Sequence, residues 1–294
     1  MTRKEWNNVF LGLLFISPWI FGFLVFLVYP ILSSFYMSLT EFSGFGDMTF
    51  IGTNNFKQMF SDELFWTSLY NTLYYTILAV PVGAIIAIIL ALAMNQKLVE
   101  IPIYRAALYL PSVLPVYAVS FIFIWLLNPR YGLVNLAMSA VGLPSINWFG
   151  DPAWAKLAIV MLAQLGAGQY ALIFLAGLRG IPQTLYDAAE IDGASSLRKF
   201  WHITLPLLTP VILYDVIVGL GLGLQVFEQA YITTNGGPVD STLFYVFYLY
   251  NNAFRYGQMG YAAAMSWFLF VISLLLALLV FWTSKRWVNY EVVA

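Results

Sequence analysis

Cysteine is absent from the 294 residues, which excludes disulfides and thiolate metal sites. The single histidine, His202, argues against a histidine-based catalytic or metal centre. Charge is scarce as well: Asp, Glu, Lys and Arg make up 9% of the chain, against about 25% in an ordinary soluble domain. So few charges cannot cover a water-exposed surface, so a soluble enzyme, a nucleic-acid binder and a disordered scaffold are excluded before any motif is read. The net charge of -1 provides no field for steering a charged partner. What fills the chain instead is apolar: 61% hydrophobic residues and a mean hydropathy of +0.81. The sequence is that of a membrane protein.

Stretches without a formal charge locate the spans, because a bilayer core needs about 20 apolar helical residues. Trp6 to Thr40, Leu64 to Gln96, Ala106 to Pro129, Leu157 to Leu178 and Tyr256 to Ser284 carry none, and Leu207 to Phe227 carries only Asp215. The fold class predicted is an all-α polytopic membrane protein, since barrel strands would alternate over about 10 residues. It is one transmembrane domain with spans near 9–38, 67–95, 106–128, 154–178, 207–228 and 260–284 and a longer connector at 179–206. The first stretch is too long for a secretory h-region and reads as a retained helix. Six spans place both ends on one side. Arg3, Lys4, Lys97, Arg105, Arg179, Arg198, Lys199, Lys285 and Arg286 then lie inside, against Lys57, Arg130, Lys156 and Arg255 outside, so the positive-inside rule favours both termini in the cytoplasm. Trp66, Trp148, Trp154 and Tyr231 in the outer segments suit the headgroup level. No internal repeat or linker divides the chain.

The connector Arg179 to Pro210 reads RGIPQTLYDAAEIDGASSLRKFWHITLPLLTP. Pro182 is placed to open a helix near Gln183 or Thr184, and Leu185, Ala188, Ala189 and Ile191 give it small and apolar surface at helical spacing. Gly193 ends or bends it, and a second amphipathic run follows from Ser195 to Ile203. Two readings stand side by side. One is a connector lying on the membrane surface. The other is a docking helix, in which the small residues allow close approach while Asp187, Glu190 and Asp192 meet basic groups.

This segment resembles the EAA loop of binding-protein-dependent ABC importer permeases: E-A-A, three residues, G, nine residues, then I-x-L-P. Asp187-Ala188-Ala189, Gly193 and Ile203-Thr204-Leu205-Pro206 stand at those positions, and Asp192-Gly193-Ala194 supplies the usual D-G-A. Asp187 replaces the usual Glu, keeping the charge with a shorter reach. FIGTNNF (Phe50 to Phe56), LYLPSVLP (Leu108 to Pro115), YGLVN (Tyr131 to Asn135), TTNGGP (Thr233 to Pro238) and GYAAAMSW (Gly260 to Trp267) extend the likeness to carbohydrate permeases of the maltose, lactose and glycerol-phosphate type. The resemblance implies a permease subunit forming half of a sugar or oligosaccharide pore that works by alternating access. It implies a second homologous permease, a cytoplasmic dimer of ATP-binding subunits and an extracellular substrate-binding protein as partners, in a bacterial cytoplasmic membrane. It assigns ATPase coupling to Leu185, Asp187, Ala188, Ala189, Asp192, Gly193 and Ala194. The chain is then not an enzyme and holds no cofactor, Mg-ATP being bound by the partner. No G-x-x-x-x-G-K-[ST] loop is present.

Other constellations concern the path. Gly219 and Gly223 form a GxxxG pair suited to close helix crossing. Asp215, deep in the fifth span, is either hydrogen-bonded between helices or lines the substrate path. Tyr214, Gly221, Gln225 and Glu228 fall on one side of a straight fifth helix, a polar stripe fit to face a cavity. Gln164, Gln169 and Tyr170 on the fourth span should turn away from lipid. Asn71, Tyr74 and Tyr75 are weaker candidates of the same kind. The competing classes are a stand-alone secondary transporter, which would want inverted repeats, and an intramembrane enzyme, for which Asp215 is the lone mid-membrane ionisable group.

Overall fold

The computed structural model describes residues 2–96 and 99–290. Lys97, used in the orientation count, lies outside the described residues. The chain is helical almost throughout, the described residues holding one two-stranded sheet. Five helices are long and apolar enough to cross a membrane, six if one bent pair is a single span. In chain order the helices are α1 (Phe10–Ser38), α2 (Asn54–Ser61), α3 (Glu63–Met94), the bent pair α4 (Ile101–Val113) and α5 (Val116–Leu126), α6 (Leu133–Ala140) and α7 (Pro152–Gly180). Then come α8 (Gln183–Ile191), α9 (Ser196–Gly223), α10 (Glu228–Thr233), α11 (Tyr245–Tyr250) and α12 (Met259–Ser284).

The residues fall into two compact units. One comprises 1–62 and 249–269, the other 63–248 and 270–294. In the first, α1 ends at a hairpin of β1 (Thr40–Glu41) and β2 (Thr49–Phe50), paired antiparallel with Thr40 opposite Phe50. Buried Asn55 donates from Nδ2 to the carbonyls of Ser38 (2.9 Å) and Thr40 (2.8 Å), satisfying backbone left over where α1 ends. A Cβ at Gly260 would strike the Thr40 carbonyl oxygen and crowd Asn55, so this glycine lets α12 start against the hairpin. The Asn of FIGTNNF and the Gly of GYAAAMSW thus belong to one joint. Tyr261 donates to Asp62 Oδ2 (2.7 Å), and Trp267 Nε1 to Ser34 Oγ (3.2 Å).

In the second unit α3 is the central helix. Ala87, Ile88, Ala91 and Met94 of α3 share a buried core with Ala171, Phe174, Leu175 and Leu178 of α7 and Leu208 of α9. Glycines set how near these helices come. A Cβ at Gly223 would lie 2.8 Å from the Thr76 side chain and one at Gly219 3.1 Å from Val80, so the GxxxG pair is the face by which α9 lies on α3. A second core joins Val119, Phe123 and Leu127 with Trp148, Ala158 and Leu162.

Two spans differ from the expectation. The third is bent by 95° between α4 and α5 rather than continuous. Prolines cause this: Leu114 precedes Pro115 and is driven to an extended ψ of 138°, and Pro115 itself stands extended at ψ 139° before α5 restarts. The fifth starts earlier and stops sooner than 207–228. Ser195 Oγ accepts the Arg198 amide (3.4 Å) and opens α9 at Ser196. The helix passes Pro206 through a widened turn at Phe200–Thr204, in which the Leu205 amide reaches back to the Phe200 carbonyl. It ends at Gly223, and α10 begins afresh at Glu228.

Candidate functional site

The residues expected to couple the chain to a partner gather on α8 and its exit. Pro182, at φ -59° and ψ 130°, caps the start, so the helix opens at Gln183. Its end is a closed Schellman turn: the Ala194 amide donates to the Ala189 carbonyl (2.8 Å) and the Gly193 amide to that of Glu190 (3.0 Å). Gly193 sits at φ +75° with open space where a Cβ would be, so glycine is required by the backbone rather than by packing. The helix buries no residue. Ile191 is 88% exposed and Leu197, just beyond, 68%; Leu185, Asp187, Ala188, Asp192 and Gly193 are also exposed, with Ala189 and Ala194 partly covered. One edge is tethered. Tyr186 shares a hydrogen bond with Thr204 (2.9 Å) and Glu190 pairs with Lys199 (3.0 Å), while Gln183 donates to Asp187 Oδ1 (3.0 Å) within the helix. An open groove of about 570 Å³ runs alongside, lined by Leu92, Gln96, Tyr186, Leu197, Lys199 and Phe200 among others. The element is a short amphipathic helix held on one edge, with acids, alanines and an isoleucine turned outward.

The path candidates lie elsewhere. Helix α9 runs for 28 residues from Ser196 to Gly223, roughly 42 Å at about 1.5 Å per residue. The straight fifth helix on which the polar stripe was drawn is not formed. Tyr214 and Gly221 are on α9, but Gln225 follows its end and Glu228 opens α10, with Phe227 at φ -146° between them. The physical cause is Gly221 and Gly223, poor helix formers that release the chain where Gly223 meets Thr76. Tyr214, Gln225 and Glu228 are each exposed. Gln164 turns inward, donating to the carbonyls of Val160 (2.9 Å) and, weakly, Ala79 (3.5 Å). Tyr170 packs against the first core, whereas Gln169 is exposed. Asp215 is 6% exposed, and among the described residues nothing hydrogen-bonds to its carboxylate, so the interhelical bond offered as one of its readings is not formed among them. Tyr75 is buried against Phe244.

Of one cluster, sequence reasoning found Asn71 and Tyr74 but missed the lysine at its centre. Lys156, counted only as a loop charge, sits on α7 and donates to Asn71 Oδ1 (3.1 Å), with the rings of Tyr70 and Tyr74 at 5.0 and 4.9 Å. Tyr70 and Tyr74 at i and i+4 on α3 were the available signal.

These features define a polytopic membrane protein with an exposed helix between its fourth and fifth spans. The chain belongs to the family of binding-protein-dependent transport system inner membrane components, whose profile matches residues 79–289. It is therefore an inner-membrane permease component and not an enzyme. It is 39% identical over 285 residues to the "Probable ABC transporter permease protein YesP" of Bacillus subtilis (strain 168), covering 95% of this chain and 92% of that one. It is 34% identical to the arabinooligosaccharides transport system permease protein AraP of the same organism, covering 94% and 91%. A solved bacterial ABC transporter involved in import of the acidic polysaccharide alginate superposes with a TM-score of 0.83 at 26% identity, covering 96% of this chain and 98% of that one.

Proposed function

We propose that this chain forms half of the pore of an ATP-driven saccharide importer. A second, homologous permease completes the pore, and a dimer of ATP-binding subunits engages α8 from the cytoplasm. A binding protein delivers a sugar or oligosaccharide from outside. Both termini and α8 are cytoplasmic in this reading, supported by the nine-to-four distribution of Lys and Arg. The chain binds no nucleotide and needs no cofactor; Mg-ATP resides in the partner. Its work is conformational: closure of the ATPase dimer moves α8, and the spans carry that movement to the outer gate. The sugar class rests on relatives such as AraP and the alginate importer.

The observation that carries the reading is α8 itself, an element with no buried residue that turns Asp187, Ala188, Ile191 and Asp192 to the outside. In the complex assembled with both partner types, Asp187→Lys should leave the permease in the membrane and abolish substrate-stimulated ATP hydrolysis, while Asp187→Glu retains it. Stimulated hydrolysis at the normal rate in Asp187→Lys would remove α8 from the coupling route.

A further inference from the structure

The geometry points to the Lys156 ammonium, framed by Tyr70 and Tyr74 and held by Asn71, as a subsite for a carboxylate-bearing sugar unit. This rests on the permease reading above and adds a substrate feature to it. Lys156 lies four residues into α7, a membrane-spanning helix in which a cation needs a reason to be present. The ordinary reason is snorkelling, an extended side chain whose ammonium reaches water and has no fixed partner. Lys156 does otherwise. Its ammonium turns to a buried amide, Asn71 being 2% exposed, and stands within about 5 Å of two ring centroids.

The orientation of that amide is fixed independently. Asn71 Nδ2 donates to the carbonyls of Asp240 (2.8 Å) and Leu243 (3.1 Å), so only Oδ1 can face the lysine. The same bonds hold the loop carrying TTNGGP, where Val239 and Asp240 adopt left-handed φ values of 48° and 54°. Asn71 of α3 therefore ties Lys156 of α7 on one side of its amide to this loop on the other. Of its three donors Asn71 takes one, and among the described residues no carboxylate pairs with it. Tyr70 is 61% exposed, leaving an aromatic surface beside the cation. A pyranose bearing a carboxylate matches both halves: its C–H face lies on a tyrosine ring and its carboxylate takes the remaining ammonium protons.

The test is calorimetric titration of the assembled importer, in zwitterionic nanodiscs, with trigalacturonate and with its neutral counterpart galactotriose. The acidic probe should bind about tenfold tighter, as one charge-assisted hydrogen bond would give, and added salt should weaken it. Lys156→Gln should erase the difference without changing the affinity for galactotriose, and Lys156→Arg should keep it. Equal affinities, no binding of the acidic probe, or a preference that survives Lys156→Gln would each overturn the subsite. So would a Lys156→Gln effect seen only when anionic lipid is added to the nanodiscs, which would make a headgroup phosphate the ligand. Basal ATP hydrolysis by each variant reports whether the importer is assembled, so failure of the subsite is distinguishable from failure of the permease reading.

Discussion

Helix α8 and the amide-tied joints of the same chain are built in opposite ways. α8 ends itself, its last carbonyls taken by the amides of Gly193 and Ala194, and it leaves its outer side chains unused. At the joints, a buried asparagine reaches across the chain to hold someone else's backbone. Asn55 binds carbonyls 17 and 15 residues away. Asn71 binds carbonyls 169 and 172 residues away. Asn135 donates to the carbonyls of Asn128 and Ile146 and accepts from the Ile146 amide and the Trp148 indole. The difference separates stability from coupling. In a chain this poor in charge, loops are fixed by amides that saturate buried backbone groups. Helix α8, the docking element in the proposed reading, is closed by backbone alone, which frees its surface.

That contrast can be broken by substitution, and the largest effect belongs at Gly193. Gly193→Val must place a β-branched residue at φ +75°, costing about 1–2 kcal/mol or more and opening the Schellman turn. Substrate-stimulated ATP hydrolysis should fall by at least about tenfold, since coupling depends on the geometry of α8, while detergent melting of the permease barely changes. Gly193→Asn, tolerated in the left-handed region, should restore most of the rate. Loss in both variants would mean that size, not backbone, is read at this site.

On stability, as distinct from coupling, the largest effect is that of Asn135→Leu, which strands two carbonyls, an amide and an indole N–H. A destabilisation of about 2–4 kcal/mol is expected from the unsatisfied groups, seen as a lower melting temperature. Assembled molecules at lower temperature should still show stimulated hydrolysis. Gly223→Val should cost about 1–3 kcal/mol, because its Cβ would overlap Thr76 and push α9 from α3. Smallest is Lys199→Ala: it removes an ion pair whose Glu190 partner is largely exposed, so less than about 1 kcal/mol is at stake. A large melting shift in Lys199→Ala would show that α8 is held by its edge rather than by its own termination.

Composition and charge-free stretches made the fold class legible, because lipid leaves a chain few options. The grammar of α8 was equally plain: Pro182, the Ala pair and Gly193 each have one local role, and the helix runs between them. What could not be read was set by neighbours or by competing local terms. The bend at Leu114-Pro115 lay inside a stretch that hydropathy alone reads as continuous. The stripe from Tyr214 to Glu228 assumed a straight helix, whereas Gly223, which permits the contact with α3, also ends it. Lys156 was invisible for another reason: a lone lysine has no motif, and its meaning depends on Asn71 and two tyrosines that are about 80 residues away in sequence.

The central claim, that α8 is the docking element, is open to a direct measurement because the chain has no native cysteine. Single cysteines at Ala188 and, as a control, at Leu114, are introduced in turn, and the assembled importer is treated with a short thiol-to-amine cross-linker. The account predicts that the cysteine at 188 joins the permease to the ATP-binding subunit, with a yield that changes when ATP is trapped, and that the control gives no such product. Absence of any cross-link from 188 in an importer that still hydrolyses ATP on substrate demand would contradict it.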